Sequence, residues 1–327
     1  MPEFRVVITD LGYRTYRYEK EQLERIGAEV ILAESRNEDD VIKHAKDADG
    51  LIVRMAPITA KVIRSLDKCR IISRYGVGAD NVDILAATEK GIMVANVPDY
   101  CEEEVSDHAL ALFMACTRKI VSHDKQIREG AWDIGAADPI YRLARKVFGL
   151  IGYGKIARTL HRKLIGFKFS RILVSDPYLD RNTAVEHNIE LVDLSSLLKE
   201  SDYISIHAPL TDKTRHMIGS KEFKIMKHTA IIINTSRGPI IDQEALYRAL
   251  KEGWINSAGI DVYENEPVEK NCPLFELDNI VVTDHASWYS EDSQVELQTK
   301  AAINVVQALS GQPVTNLVNK KTAYTDT

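Results

Sequence analysis

Long apolar runs are missing from this sequence. None approaches the ~18 consecutive apolar residues that a membrane-spanning helix requires. The opening residues, from Pro2 to Arg5, have no leader pattern and read as the approach to a strand. Cysteine is scarce: Cys69, Cys101, Cys116 and Cys272 show neither a CxxC spacing nor the spacing of a metal-binding set. Reduced thiols, a cytoplasmic location and no metal are therefore expected, with Cys101 in a loop near an interdomain cleft. Charge of one sign is not concentrated either. The net charge is −6, with 42 Lys and Arg interspersed among 48 Asp and Glu. There is no basic stripe for nucleic acid, no like-charge tail and no low-complexity segment.

What the sequence does hold is ample material for cores. Hydrophobic residues make up 45% of its 327 residues, enough for two domains of ordinary size. The first hundred residues alternate short apolar runs with helical patterns. Strands are expected at 4–9, 29–33, 50–54, 70–74 and 93–96, and helices at 18–26, 39–46, 59–65 and 83–90. Such alternation implies a doubly wound parallel sheet. A helical stretch at 103–129 follows, with Val105, Ala109, Leu112, Phe113, Cys116 and Ile120 on one face, and a loop at 133–144. Further strands are expected at 203–207, 230–234, 257–260 and 280–283. Helices are expected at 195–200, 221–226, 243–252 and 290–309, with a polar tail beyond.

The stretch 146–176 carries the strongest local signal. An apolar run ends at Gly152, Gly154 follows, and Lys155, Ile156 and Ala157 open a helical pattern. A second apolar run, 171–175, ends at Asp176, 24 residues after Gly152. Strand, glycine turn, helix, strand and terminal acid form the dinucleotide-binding fingerprint. Gly152 permits a tight turn, and Gly154 lets a pyrophosphate approach the backbone at a helix N-terminus. Asp176 can accept hydrogen bonds from ribose hydroxyls and would repel a 2′-phosphate. Pro177 and Tyr178 offer no cation for one, so NAD is favoured over NADP.

Three polar segments sit at the expected carboxyl ends of later strands, where open α/β sheets bind ligands. They are 234–238 with Arg237, 261–267 with Asp261, Glu264 and Glu266, and 284–289 with His285. Histidine suits proton exchange near neutral pH. A carboxylate beside it orients the ring, and an arginine fork suits a carboxylate or developing alkoxide. Arg237 would anchor substrate, His285 would be the acid/base and an acid of the 261–267 run would orient it.

Taken together, 73–83, 95–99, the Gly152 fingerprint, 207–211, 234–239, 261–267 and 283–288 resemble the D-isomer-specific 2-hydroxyacid dehydrogenase family over nearly the whole chain. The resemblance implies two doubly wound domains. A flavodoxin-like substrate domain would be formed by 1–100 plus 290–327, and a Rossmann NAD-binding domain by 101–289. It implies Arg237, Glu266 rather than Glu264, and His285 as the catalytic set. Cofactor contacts would come from Gly152, Gly154, Lys155, Ile156, Asp176, His207, Ala208, Pro209, Thr235, Ser236, Arg237, Asp261 and His285. Substrate contacts would come from Val77, Gly78 and Arg237, with Arg54 at a position that meets phosphate in phosphoglycerate dehydrogenases. The segment after His285 resembles that of C-terminal-binding proteins, which implies Trp288 as a pocket wall. Tyr75, Tyr100 and Tyr141 are further lining residues. A homodimer built on the cofactor domains and hinge closure over substrate are also implied. The same resemblance allows an NAD-sensing corepressor-like protein, or a dehydrogenase of phosphorylated, sulfonated or inorganic analogues. Three positions depart from the family: Asp284 where proline is frequent, Arg145 in place of glycine, and Ala157 in place of the third glycine.

Overall fold

A computed structural model describes residues 2–134 and 139–319. It forms two compact units, one of residues up to Cys101 together with those from Ser290 on, the other of Glu102–Tyr289. Part of the loop expected at 133–144, and the tail beyond 319, lie outside the described residues.

In the first unit β1 (Phe4–Ile8), β2 (Ala28–Leu32), β3 (Gly50–Val53), β4 (Ile71–Arg74) and β5 (Met93–Ala95) make one sheet in the order β2-β1-β3-β4-β5. Every pairing is parallel. All four residues of β3 are buried, as expected for a parallel sheet covered on both faces. Helix Glu291–Leu309 returns to this unit, and Ala301 accepts a 2.8 Å hydrogen bond from Ser73 Oγ.

The second unit carries β6 (Val147–Ile151), β7 (Arg171–Ser175), β8 (Glu190–Leu191), β9 (Tyr203–Ile206), β10 (Ile231–Asn234), β11 (Ser257–Ile260) and β12 (Ile280–Val282). Their order is β12-β11-β10-β9-β6-β7-β8, all parallel. The chain winds outward from β6 to β8, then returns to lay β9 on the other side of β6. Ligands of such sheets bind at the carboxyl ends of the strands flanking that reversal. Here those ends are Gly152 and His207, joined by the His207 N–H to the Ile151 carbonyl at 2.7 Å. One face of the sheet buries an aliphatic core that includes Ile204, Ile232 and Leu246, and the other an aromatic cluster of Phe113, Phe148 and Tyr203.

Three sequence expectations change. The long helix at 103–129 is two helices, Glu102–Arg118 and Ile120–Arg128, broken where Lys119 takes a left-handed backbone at φ 54°. The buried stripe runs from Val105 to Thr117 and then ends. Ile120, expected on that face, is 57% exposed, as are Val121 and Ile127 at similar levels, so no core contact continues the helix. Strand β8 and helix Arg181–Glu186 are too short and polar for periodicity to reveal. Tyr75 and Tyr100 are buried in the first unit rather than lining a surface, with the Tyr75 hydroxyl on Glu19 at 2.5 Å.

Candidate active site

The glycine turn explains its own residue choice. Gly152 has φ 84°, and a Cβ there would fall 2.8 Å from the Ala208 nitrogen and 2.9 Å from the His207 carbonyl carbon. Only glycine allows β6 to turn this close to the end of β9. Gly154 is exposed, with open space where a side chain would stand. Three other helices in this unit begin with Asp180, Asp193 and Asp242 accepting a backbone N–H. Helix Lys155–Leu164 begins at Gly154 with no side-chain cap. Its first N–H groups, on Lys155, Ile156 and Ala157, are left for an anionic ligand. Ala157 is fully buried under the helix, where a small residue is needed.

Asp176, at the end of β7, reaches back to the turn. One of its oxygens accepts from the Tyr153 N–H and the other from the Tyr178 N–H, each at 2.9 Å. Its carboxylate is thus fixed beside the anion site. The β9 and β10 ends are laced together by Ser236 Oγ donating to the Ala208 carbonyl at 2.5 Å. Pro209 is exposed beside them. Thr235 Oγ1 is buried and has no hydrogen-bond partner among the described residues. A buried hydroxyl without a partner is costly, and a bound polar ligand would satisfy it. The cradle at Gly152 and Gly154, the uncapped helix and this hydroxyl together fit a dinucleotide.

The chemistry-bearing side chains stand at the ends of β10, β11 and β12. Asn234 shapes the first turn: its Oδ1 accepts from the Ser236 N–H and its Nδ2 donates to the Arg237 carbonyl, each at 3.0 Å. Gly238 then packs on the next loop so closely that a Cβ would lie 1.9 Å from the Tyr263 carbonyl carbon. That contact brings Arg237 toward the 261–267 loop. Within that loop the Tyr263 N–H donates to Glu266 Oε1 at 2.9 Å, and Glu266 Oε2 meets His285 Nδ1 at 2.6 Å. Burial pushes the Glu266 carboxyl up, but the His285 hydrogen bond and charge, the Tyr263 N–H and the Arg237 charge outweigh it. The carboxyl is held below its ordinary value. Glu264, the other acid of the run, meets His216 instead.

His285 itself has φ 58°, a left-handed backbone that few non-glycine residues adopt. Asp261, read from resemblance as a cofactor contact, is fully buried. Its oxygens accept from Thr283 Oγ1, the Ala286 N–H and the Ser287 N–H. Trp288 is half-buried, with its ring edge-on to Tyr289 at 5.6 Å.

In the first unit, Arg54 follows β3 in a loop held by Asp10, whose carboxylate accepts from the Arg54, Met55 and Ala56 N–H groups. The Arg54 guanidinium lies 5.6 Å from the Tyr13 ring centroid and packs on Gly12. Arg74 packs in the same manner on Gly76, immediately before Val77 and Gly78. Val77 is 40% exposed. Burial pushes the Tyr13 hydroxyl up, against the charges of both arginines. Sequence reading passed over Asn234, Gly238, Arg74 and His108. Each owes its part to a contact with a segment distant in the chain or to a turn whose partners the sequence does not name.

Residues 110–287 match the family model described as the NAD binding domain of D-isomer specific 2-hydroxyacid dehydrogenases. The glyoxylate reductase of Korarchaeum cryptofilum is 41% identical over 286 residues, which cover 86% of each chain. The D-3-phosphoglycerate dehydrogenase of Methanocaldococcus jannaschii is 40% identical over 91% of this chain, a match that spans 56% of that longer protein. Among solved structures, D-lactate dehydrogenase from Aquifex aeolicus, complexed with NAD and lactic acid, superposes with a TM-score of 0.87 at 25% identity. That match covers 96% of this chain and 99% of the other.

Proposed function

The chain belongs to the D-isomer-specific 2-hydroxyacid dehydrogenase family and is an NAD-dependent dehydrogenase; from that premise we propose that Arg237, Glu266 and His285 are its catalytic set. The observation that carries the reading is the 2.6 Å contact of His285 with a Glu266 carboxylate held below its ordinary value. Bound NAD(H) supplies or accepts the hydride at C2 of the 2-oxo or 2-hydroxy acid. Glu266, as a carboxylate, can only accept a hydrogen bond, so Nδ1 of His285 carries a proton and Nε2 is the nitrogen that exchanges one with the substrate oxygen. Arg237 would polarise that oxygen and bind the carboxylate. The turn residues Gly152 and Gly154, the N–H groups of Lys155 and Ile156, Asp176, the 207–209 backbone, Thr235 and Ser236 would hold the cofactor. In the first unit, Val77, Gly78 and Arg54 are proposed substrate contacts, and Trp288 a pocket wall in the second.

A substrate with a second anionic group is favoured by two guanidiniums of the first unit: that of Arg54 lies 5.6 Å from the Tyr13 ring centroid, and that of Arg74 packs on Gly76, just before Val77 and Gly78. We further propose a homodimer and a cytoplasmic location. Exposed Ile120, Val121, Ile127, Trp132 and Ile134 support the first, and four free, buried cysteines the second.

The test is loss of NADH absorbance on mixing the protein with a panel of 2-oxo acids. The panel includes glyoxylate, hydroxypyruvate, pyruvate, branched and aromatic acids, and phosphorylated and sulfonated ones. Fast turnover of a member with a second anionic group and poor use of those with the carboxylate alone would fit these two arginines, and the reverse would sink that reading. The His285→Gln variant should bind NADH normally and lose turnover by a factor on the order of 10² or more. Near-normal turnover there would remove His285 from the mechanism.

A further inference from the structure

Three consecutive backbone N–H groups around the acid/base histidine end on one residue. The His285 N–H donates to the Asp261 carbonyl at 2.8 Å, the Ala286 N–H to Oδ1 at 2.9 Å and the Ser287 N–H to Oδ2 at 3.1 Å. This clamp holds His285 in its left-handed backbone. The carboxylate that makes two of those bonds is itself held from below. Thr283 Oγ1 stands 2.6 Å from Asp261 Oδ1, and His108 Nε2 stands 3.0 Å from Thr283 Oγ1 and 3.6 Å from Asp261 Oδ1. An ionised carboxylate only accepts, so the single hydroxyl proton of Thr283 points to Asp261. The hydroxyl oxygen then faces His108 with lone pairs alone, and Nε2 of His108 must carry the proton between them. The chain of donors runs one way, from His108 through Thr283 to Asp261, and from there to the loop that carries His285.

We propose that His108, in helix Glu102–Arg118, is a positioning residue for proton transfer at His285. It fixes the Asp261 carboxylate, and through it the three amides that set the direction of the His285 ring. The proposal rests on the reading of His285 as the acid/base. It gives a partly buried histidine outside the catalytic set a task that helical periodicity does not reveal.

Four variants test it: His108→Ala, His108→Gln, Thr283→Val and the Ala/Val double. Glutamine keeps an N–H where Nε2 stood, and valine keeps the shape of threonine without its hydroxyl. Hydrogen exchange of the 285–287 amides is read alongside kcat, its solvent deuterium isotope effect and NADH binding by fluorescence. His108→Ala and Thr283→Val should exchange faster and lose about tenfold in kcat, with a larger isotope effect and an NADH Kd within about twofold of the parent. His108→Gln should recover most of the loss. The double variant should be no worse than the poorer single, because both act on one chain of bonds. Unchanged exchange and kcat in His108→Ala would overturn the proposal. So would a loss in that variant which His108→Gln does not recover, with an unchanged isotope effect. His285→Gln, measured in parallel, separates the two readings. Near-normal turnover there overturns the parent mechanism, whereas its inactivity beside a normal His108→Ala overturns this proposal alone.

Discussion

At Gly238 the requirement is backbone against backbone. A methyl group there would meet the Tyr263 carbonyl at 1.9 Å and the Glu264 nitrogen at 2.6 Å, with no flexible side chain to yield. Gly238→Ala should therefore cost at least about 2 kcal/mol in urea unfolding. It should also lower kcat by displacing Arg237 from the 261–267 loop, and unfolding and turnover measured together check both. Its φ is not what demands glycine, so no turn rule would have marked it. Arg145 shows the converse. It takes φ 70°, a left-handed backbone that glycine adopts most readily, and keeps a side chain there. Among the acids of the 261–267 run, sequence alone left two possibilities open and resemblance chose Glu266. The structure sets Glu266 against His285 and Glu264 against His216, a difference of two residues along a loop that no periodicity resolves.

At the scale of elements, the ends of the strands carry the chemistry, and His207 at the end of β9 makes that end sensitive to acid. Its Nε2 lies 2.8 Å from Ser205 Oγ, and burial lowers the imidazole from the ordinary 6.5 to about 4. An unfolded chain takes up this proton as pH falls below 6.5, while the folded one resists until about 4. The unfolded state therefore binds more protons in that window, and stability falls as pH drops through it. At about 1.4 kcal/mol per pH unit, the parent should lose up to about 2 kcal/mol more than His207→Gln between pH 7 and pH 5. Partial exposure of the ring reduces that figure. Urea titrations of both proteins at the two pH values measure it, and equal losses would show that His207 titrates freely in the fold. The strands themselves were legible because runs such as 147–151 and 231–233 carry no polar side chain, as doubly covered parallel strands must. The break at Lys119 was not, because residues beyond it keep a helical pattern after the core they would face has ended.

For the whole molecule, the segment beyond that break leaves Ile120 and Ile127, one heptad apart, on an exposed helix face, with Trp132 at 89% and Ile134 at 94% exposure following. Such residues gathered on one stretch suit a protein interface better than solvent. Sedimentation should give twice the 36.8 kDa chain mass, and Ile127→Lys with Trp132→Lys should shift the protein toward monomer; a parent that sediments as a monomer would rule the interface out. No described helix is long and apolar enough to cross a membrane. The sequence by itself determined the parts whose signals are local. These are the alternation of β and α, the glycine turn with its distant acid, and the polar segments at three strand ends, because each follows from periodicity, a backbone angle or the chemistry of one residue type. Only the tertiary structure decided which acid meets His285, that Gly238 must be bare, that Asp261 gathers three consecutive amides and that His108 stands behind it. Those facts depend on distances between elements far apart in the chain, and strand order and register alone set such distances.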